Sequence, residues 1–265
     1  LFIALVLSVA ALSSVSFLAD RLQRSFEIDG RTLLASDLLI AADQPIATQL
    51  IEEANAKKLG IAQTIVFPSM VSHGSESKLS SLKAVSNAYP LRGKLQISRQ
   101  DVRSNNKNYS VLEVTGMPPK NTVWVDPAVL ISLQAKIGDR LTIGDRQFQI
   151  DAVIVRELDR GAAFMNFAPR VMISLDDLAS TGLIGFGSRV TYRLLLSGSD
   201  AQIKSYENWA IRLIEQQKLR GLRIESLENA QPVMRKTLER AERFLSIVAL
   251  MTALICAIAI ALAAR

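Results

Sequence analysis

The sequence predicts an α+β domain carried between two transmembrane helices, and three observations lead to that prediction. Uncharged apolar runs occupy residues 1–19 and 244–264. A strand and helix pattern in residues 36–88 resumes in residues 189–224, and the stretch between them is rich in turns and short strands. Joined together, the two outer pieces give the ferredoxin-like (βαββαβ) order, with a small β-rich subdomain inserted in the middle.

Each apolar run is long enough to cross a membrane as a helix. A hydrocarbon core of about 30 Å needs about 20 apolar residues. Two spans would place residues 20–243 on one side of the membrane, and we expect the chain to be a segment of a longer membrane protein. The alternative is a cleaved signal peptide followed by a C-terminal anchor. The first run has no basic n-region and no clear small-residue cleavage site before Asp20, which favours two spans.

Charge does not decide which side of the membrane carries the central domain. The formal net charge is +6, and Arg21, Arg24, Arg240 and Arg243 lie close to the apolar runs. Short loops with this bias are cytoplasmic, but the rule does not extend to loops longer than about 60 residues. The basic surface is either ordinary solvated charge or a surface for anionic lipid headgroups. Nucleic acid fits less well because the basic residues are scattered and lack interleaved aromatic residues.

The first half of the outer domain is predicted from apolar runs and turn signals. Residues 36–42 are typical of a buried strand. Asp43 is a plausible cap for a helix whose apolar residues follow at helical spacing until Gly60. Residues 61–71 predict a second strand, and residues 78–88 predict the strand that returns beside it.

Residues 90–187 have a different character, with many turns and short strands. Residues 126–135 predict a short helix. Residues 141–143 and 148–155 alternate between apolar and polar side chains and are separated by a Gly-Asp turn, which predicts a hairpin. Three glycines between residues 182 and 187 mark the end of this insert.

The first pattern then resumes and completes the outer domain. Residues 189–196 predict a strand, residues 199–214 a helix, and residues 222–224 a last short strand. The predicted divisions are 1–27 for the first transmembrane helix and stalk, 28–89 and 188–227 for the two parts of the core domain, 90–187 for the inserted subdomain, and 228–265 for the second stalk and transmembrane helix.

The second stalk is predicted to run without interruption into the second span. Arg235 with Glu239, and Glu239 with Arg243, are pairs at i,i+4 spacing that support an exposed helix. No Gly or Pro follows Pro232, so residues 232–264 could form one rod about 50 Å long at about 1.5 Å per residue. A rod of this kind can transmit motion between the two sides of a membrane. Its candidate coupling residues are Arg235, Leu238, Glu239 and Arg243.

The sequence offers no catalytic constellation, cofactor site or metal site. His73 is the only histidine, which excludes a histidine metal cluster. Ser75-x-x-Lys78 matches the S-x-x-K pattern of penicillin-interacting enzymes, but no K-T-G follows it. No phosphate-binding G-x-x-x-x-G-K-[ST] sequence exists, so ATP hydrolysis would need a separate subunit. The single cysteine, Cys256, cannot form a disulfide within the chain.

The chain resembles an FtsX/MacB-type ABC transporter permease with a MacB-like periplasmic core domain, and within that family the long YbbP-type permeases. The resemblance covers the whole chain and depends more on the order of the elements than on any one motif. The segments that carry it are residues 36–42, Val123-Trp124-Val125-Asp126 with Leu133, residues 138–144, residues 148–155 and residues 240–244.

The resemblance implies a location and a mechanism. The central domain would lie in the periplasm, on the inner membrane of a Gram-negative bacterium. A cytoplasmic ABC ATPase would bind ATP and Mg²⁺, and its closure would move the stalks in a mechanotransmission mechanism. The branch implies a hydrophobic or lipid-like molecule, and a periplasmic lysophospholipase or thioesterase as a further partner. It implies no catalytic residues in this region.

Two functions of other classes are the alternatives to a transporter. A membrane-tethered periplasmic scaffold or sensor would bind a partner protein without transport. A membrane-anchored hydrolase would need a nucleophile and a base, and the sequence contains no such pair. Coupling to ATP turnover distinguishes a transporter from a scaffold.

Overall fold

A computed structural model describes residues 30–100, 109–160, 168–185 and 187–226, with residues 17 and 21 and individual positions between 243 and 262. The chain divides into two compact units, Arg31–Ser226 and the pair Leu1–Gly30 with Leu227–Arg265. The predicted spans and stalks lie largely outside the described residues. Among the residues that are described, no helix combines the length and the apolar character needed to cross a bilayer.

The outer strands of the Arg31–Ser226 unit follow the predicted order of elements. Chain order is β1 (Leu38–Ala42), α1 (Thr48–Ala56) and β2 (Gly60–His73), and later β10 (Thr191–Ser197), α4 (Asp200–Gln217) and β11 (Leu222–Ser226). These four strands lie in the order β11-β1-β10-β2, each antiparallel to its neighbour. The two β-α-β pieces therefore interdigitate, since the strands of one piece alternate with those of the other.

The sheet continues from β2 into the residues between the two pieces. β3 (Glu76–Val85) forms a hairpin with β2 and lies parallel to β9 (Arg170–Ser174). The order then runs β9-β6-β8-β4-β5, and β7 pairs with both β2 and β8. The remaining elements are β4 (Leu95–Ser98), β5 (Leu112–Val114), β6 (Thr122–Val125), α2 (Pro127–Ser132), β7 (Arg140–Ile143), β8 (Arg146–Arg156) and α3 (Leu175–Leu178).

The two faces of the sheet bury different sets of residues. On one face, α1 and α4 cover apolar side chains of β1 and β10, and the Tyr206 hydroxyl donates to the Leu50 carbonyl over 2.7 Å. On the same face, α2 packs on β3 and β8. The opposite face buries Tyr89, Trp124 and Met172. Alternate residues of each strand point to opposite faces, so each central strand contributes to both cores.

Local sequence signals predicted the β7–β8 hairpin and the short helix α2. The hairpin turns at Gly144 and Asp145, where Gly144 has a positive φ of 57°. Asp126 caps α2 by accepting a hydrogen bond from the Ala128 amide over 3.2 Å. The helix ends at Ser132, three residues before the predicted end.

The predicted start of α1 at Asp43 is wrong. The helix begins at Thr48, with no side-chain cap. Asp43 lies instead against the backbone of Gly221, where an added Cβ would come within 2.1 Å of the Asp43 Oδ1 atom. The carboxyl group that the local sequence assigned to a helix cap therefore lies beside the turn before β11.

Candidate functional site

The predicted coupling residues of the second stalk lie almost entirely outside the described residues. Arg235, Leu238 and Glu239 are not described. Arg243 is described as helical and exposed. The coupling role of these four residues therefore remains a prediction. The described residues nearest to the predicted stalks in sequence are the two ends of the Arg31–Ser226 unit.

The chain enters and leaves this unit at neighbouring positions. β1 and β11 are antiparallel, and Leu38 at the start of β1 lies directly opposite Ser226 at the end of β11. Residues 30–34 before β1 are helical, and the helix ends at Ala35 in the left-handed conformation with a φ of 55°. Motion applied at either connection would thus reach the same end of the same strand pair.

A buried carboxylate, Asp37, organises the point where the chain enters the sheet. Its side chain is 3% exposed. Arg92 donates to it through Nε over 2.9 Å and through a terminal nitrogen over 2.6 Å. Arg31 donates over 3.3 Å, and the Gly198 backbone N–H over 3.0 Å. One carboxylate therefore joins the segment before β1, the loop after β3 and the turn between β10 and α4.

These contacts keep Asp37 ionised. Burial alone would raise the pKa of Asp37, because it disfavours the charged form. Hydrogen bonds from Arg92 and the Gly198 N–H, with the charges of Arg92 and Arg31, outweigh burial and lower the pKa of Asp37 below its ordinary value. A hydrogen bond from Arg92 to Asp37 in turn raises the pKa of that guanidinium. The cluster is thus a charge-assisted set of hydrogen bonds at neutral pH.

Arg31 connects this cluster to α4, the helix that precedes the last strand, β11. Its second terminal nitrogen donates to Asp200 over 2.6 Å. Asp200 is the first residue of α4, where Ser199 and Gln202 form a capping box. Arg31 itself precedes β1, and its partner Asp200 begins α4, which precedes β11. Arg31 therefore joins the segments that lead to the first and the last strand of the unit. The Asp200 side chain is 83% exposed, so this ion pair is weaker than the buried one.

The loop after β3 is fixed against the same segment by backbone contacts. The Ala35 carbonyl accepts hydrogen bonds from the amides of Leu91 and Arg92, over 2.9 and 3.0 Å. Gly93 has a φ of 72°, and an added Cβ would come within 2.5 Å of Leu158 and 2.9 Å of Thr32. Glycine is therefore needed here for both its conformation and its small size.

One feature of the sequence points to this cluster. Asp37 is the only charged residue in the apolar run of residues 36–42, and a charge at the start of a buried strand needs a partner. Its partners could not be identified, because Arg92 lies 55 positions away and Gly198 lies 161 positions away.

The other residues singled out in the sequence have structural contacts. His73 Nδ1 lies 3.1 Å from the Leu133 carbonyl oxygen, and Nε2 lies 3.7 Å from Asp139. Within the part of the chain that the structure describes, no group of three or more His, Cys, Asp or Glu side chains is placed to hold a metal ion. The Ser75-x-x-Lys78 segment lies at the β2–β3 turn and in the first residues of β3.

Comparison with known proteins gives one relative of similar sequence. Over 263 residues, or 99% of the chain, the sequence is 28% identical to the uncharacterized ABC transporter permease YbbP of Escherichia coli strain K12. The chain resembles a segment of an ABC transporter permease. This confirms the predicted resemblance. The chain spans about 30% of the length of that relative, and no family model matches it.

Two solved structures are similar to this chain at low sequence identity. The periplasmic region of MacB from Actinobacillus actinomycetemcomitans is 14% identical, covering 77% of this chain and 95% of that one, with a TM-score of 0.44. The extracellular domain of the noncanonic ABC-type transporter YknZ from Gram-positive bacteria is also 14% identical. It covers 71% of this chain and 100% of that one, with a TM-score of 0.44.

Proposed function

We propose that the chain is part of the permease subunit of an ATP-driven ABC transporter of the mechanotransmission type. The observation that carries the proposal is the similarity to an ABC transporter permease along 99% of the chain. In this proposal the Arg31–Ser226 unit lies in the periplasm, the apolar runs cross the inner membrane, and the transporter moves or extracts a hydrophobic or lipid-like molecule.

The arrangement around Asp37 supports a mechanical role for the unit. The two connections lie side by side at Leu38 and Ser226. A displacement of either connection would act on a strand pair that is held by backbone hydrogen bonds and by a buried carboxylate. Such a unit responds as a body, because breaking one partner away from a buried charge is costly. Movement of either strand would then pass into the sheet.

The proposed partners follow from the same assignment. A cytoplasmic ABC ATPase would supply ATP and Mg²⁺ chemistry, and the lipid bilayer would surround the two apolar runs. A periplasmic lysophospholipase or thioesterase would act on a lipid-like substrate beside the permease.

The proposal is tested by the response of ATP turnover to a break in the predicted second stalk. In the intact transporter with its ATPase, we expect Glu239→Pro to abolish the change in ATP turnover that substrate produces, because proline interrupts a helix at a cost of about 3 kcal/mol. Glu239→Ala is the matched control, since it removes the same charge and keeps a good helix former. Equal responses from the two variants would refute the transmission of force through this stalk.

Purification of the intact protein from detergent distinguishes the transporter from a tethered scaffold. A stoichiometric ATPase subunit in the purified material supports the transporter. A periplasmic hydrolase beside that subunit supports a lipid-like substrate. Recovery of periplasmic proteins without any ATPase would support a membrane-tethered scaffold or sensor and would contradict the proposal.

A further inference from the structure

The outer strands and the inserted strands meet mainly at one ladder in the middle of the sheet. This ladder, called the seam below, is the parallel pair β3 and β9, with five residue pairs from Ser81 opposite Arg170 to Val85 opposite Ser174. A second and shorter contact joins β2 to β7 through two residue pairs. Relative movement of the two parts of the sheet would therefore have to open the seam.

A single buried carboxylate, Glu157, bridges the two strands of the seam. Its Oε1 atom lies 2.8 Å from the Lys83 Nζ atom on β3, and its Oε2 atom accepts from the Arg170 Nε atom on β9 over 2.9 Å. The side chains of all three residues are at most 1% exposed. Glu157 follows the end of β8, so the bridge is made by a third segment, on the face of the sheet opposite α1, α2 and α4.

The remaining polar groups at the seam are also paired. The Lys83 ammonium group contacts Asp159 over 2.8 Å and the Tyr89 hydroxyl over 2.7 Å. Tyr89 donates to Asp159, and Arg170 donates to Ser81 over 2.5 Å. The Lys83 ammonium group therefore contacts Tyr89, Glu157 and Asp159. It needs no third carboxylate to accept its hydrogen bonds.

The side chains around this network are apolar, and this determines how the network contributes to the free energy of unfolding. Val85, Met172 and Ile154 belong to the core on the same face. Two charges in an apolar core gain little over well-packed apolar side chains, but loss of one partner leaves an uncompensated buried charge, which is costly. Compared with apolar side chains in the same place, the bridge therefore adds little to the free energy of unfolding. It nevertheless resists any displacement that separates Glu157 from either cation.

We propose that Glu157 is a clasp that holds the seam closed, so that the outer and inserted strands move as one body. The local closure of the seam is independent of the function proposed above. Only the consequence for transport depends on it, because a closed seam would carry motion from the strand pair β1 and β11 to the inserted strands. Opening of the seam would require Glu157 to lose its contact with Lys83 or with Arg170.

Hydrogen exchange of the intact protein in detergent tests the clasp directly. We expect Glu157→Gln to accelerate exchange at the seam amides of β3 and β9 by about ten-fold or more, with less than about two-fold change in β1 and β10. Glu113→Gln is the matched control, because Glu113 forms an exposed ion pair with Lys94 across β4 and β5. This control should leave the seam unchanged. Equal acceleration in all four strands, or none at all, would overturn the proposal.

A second variant keeps the test decisive if Glu157→Gln does not fold. Glu157→Asp retains the charge but is one methylene shorter, so it can contact only one of the two cations. We expect intermediate acceleration confined to the seam, and wild-type exchange in Glu157→Asp would refute the bridge. ATP turnover of the same variants separates the two proposals. Accelerated exchange at the seam with unchanged coupling to ATP would support the clasp and count against the mechanical function.

Discussion

Replacing Asp37 by Asn should destabilise the Arg31–Ser226 unit much more than the same change at Asp200. The substitution preserves shape but removes the charge, and the new amide cannot accept all the hydrogen bonds from Arg92, Arg31 and the Gly198 N–H. Hydrogen bonds to a charged group contribute about 1.5–3 kcal/mol each. Because the side chains of Arg92 and Arg31 are 40% and 26% exposed, solvent recovers part of this loss. We expect a decrease of about 3 kcal/mol in the free energy of unfolding.

Urea unfolding of the Arg31–Ser226 segment measures the decrease in the free energy of unfolding that Asp37→Asn causes. The cooperative transition of the unsubstituted segment is the reference. The protein has two tryptophans, Trp124 in β6 and Trp209 in α4, so fluorescence follows both parts of the sheet. Asp200→Asn removes a contact of the same Arg31 from a carboxylate that is 83% exposed, and should cost less than about 1 kcal/mol. Equal effects of the two substitutions would show that burial of Asp37 does not determine the strength of the cluster.

Three further predictions concern acid, backbone conformation and helix packing. Burial opposes ionisation of Glu157, but its two cations lower its pKa from 4.5 to about 2. The contribution of the ionised Glu157 to stability is therefore complete above pH 4.5 and is lost as pH falls towards 2. A fall in melting temperature over this pH range measures the loss. Gly93→Ala should cost at least about 1 kcal/mol in urea unfolding because of the positive φ and the proximity of Leu158. Tyr206→Phe should cost about 1 kcal/mol through the lost bond to the Leu50 carbonyl, and no change would contradict that role.

Local patterns in the sequence were sufficient to predict most of the individual strands and helices. The apolar run at β1, the helical spacing in α4 and the Gly-Asp turn of the β7–β8 hairpin all reflect interactions within a few residues. The order of these elements also supported the resemblance to ABC transporter permeases, which the comparison confirmed. The same reasoning failed at Asp43, which lies beside the distant Gly221 while the helix begins at Thr48.

The sequence by itself determined the alternation of strands and helices, because periodicity and turn chemistry are local properties. Only the tertiary structure decided which strands became neighbours and which charges became buried partners. Asp37 and Arg92 are separated by 55 positions, and Lys83 and Glu157 by 74. Their pairing depends on how the chain closes long loops and places β3 beside β9. No pattern within a short window of sequence specifies that closure, so the cluster at Asp37 and the clasp at Glu157 became visible only in the folded chain.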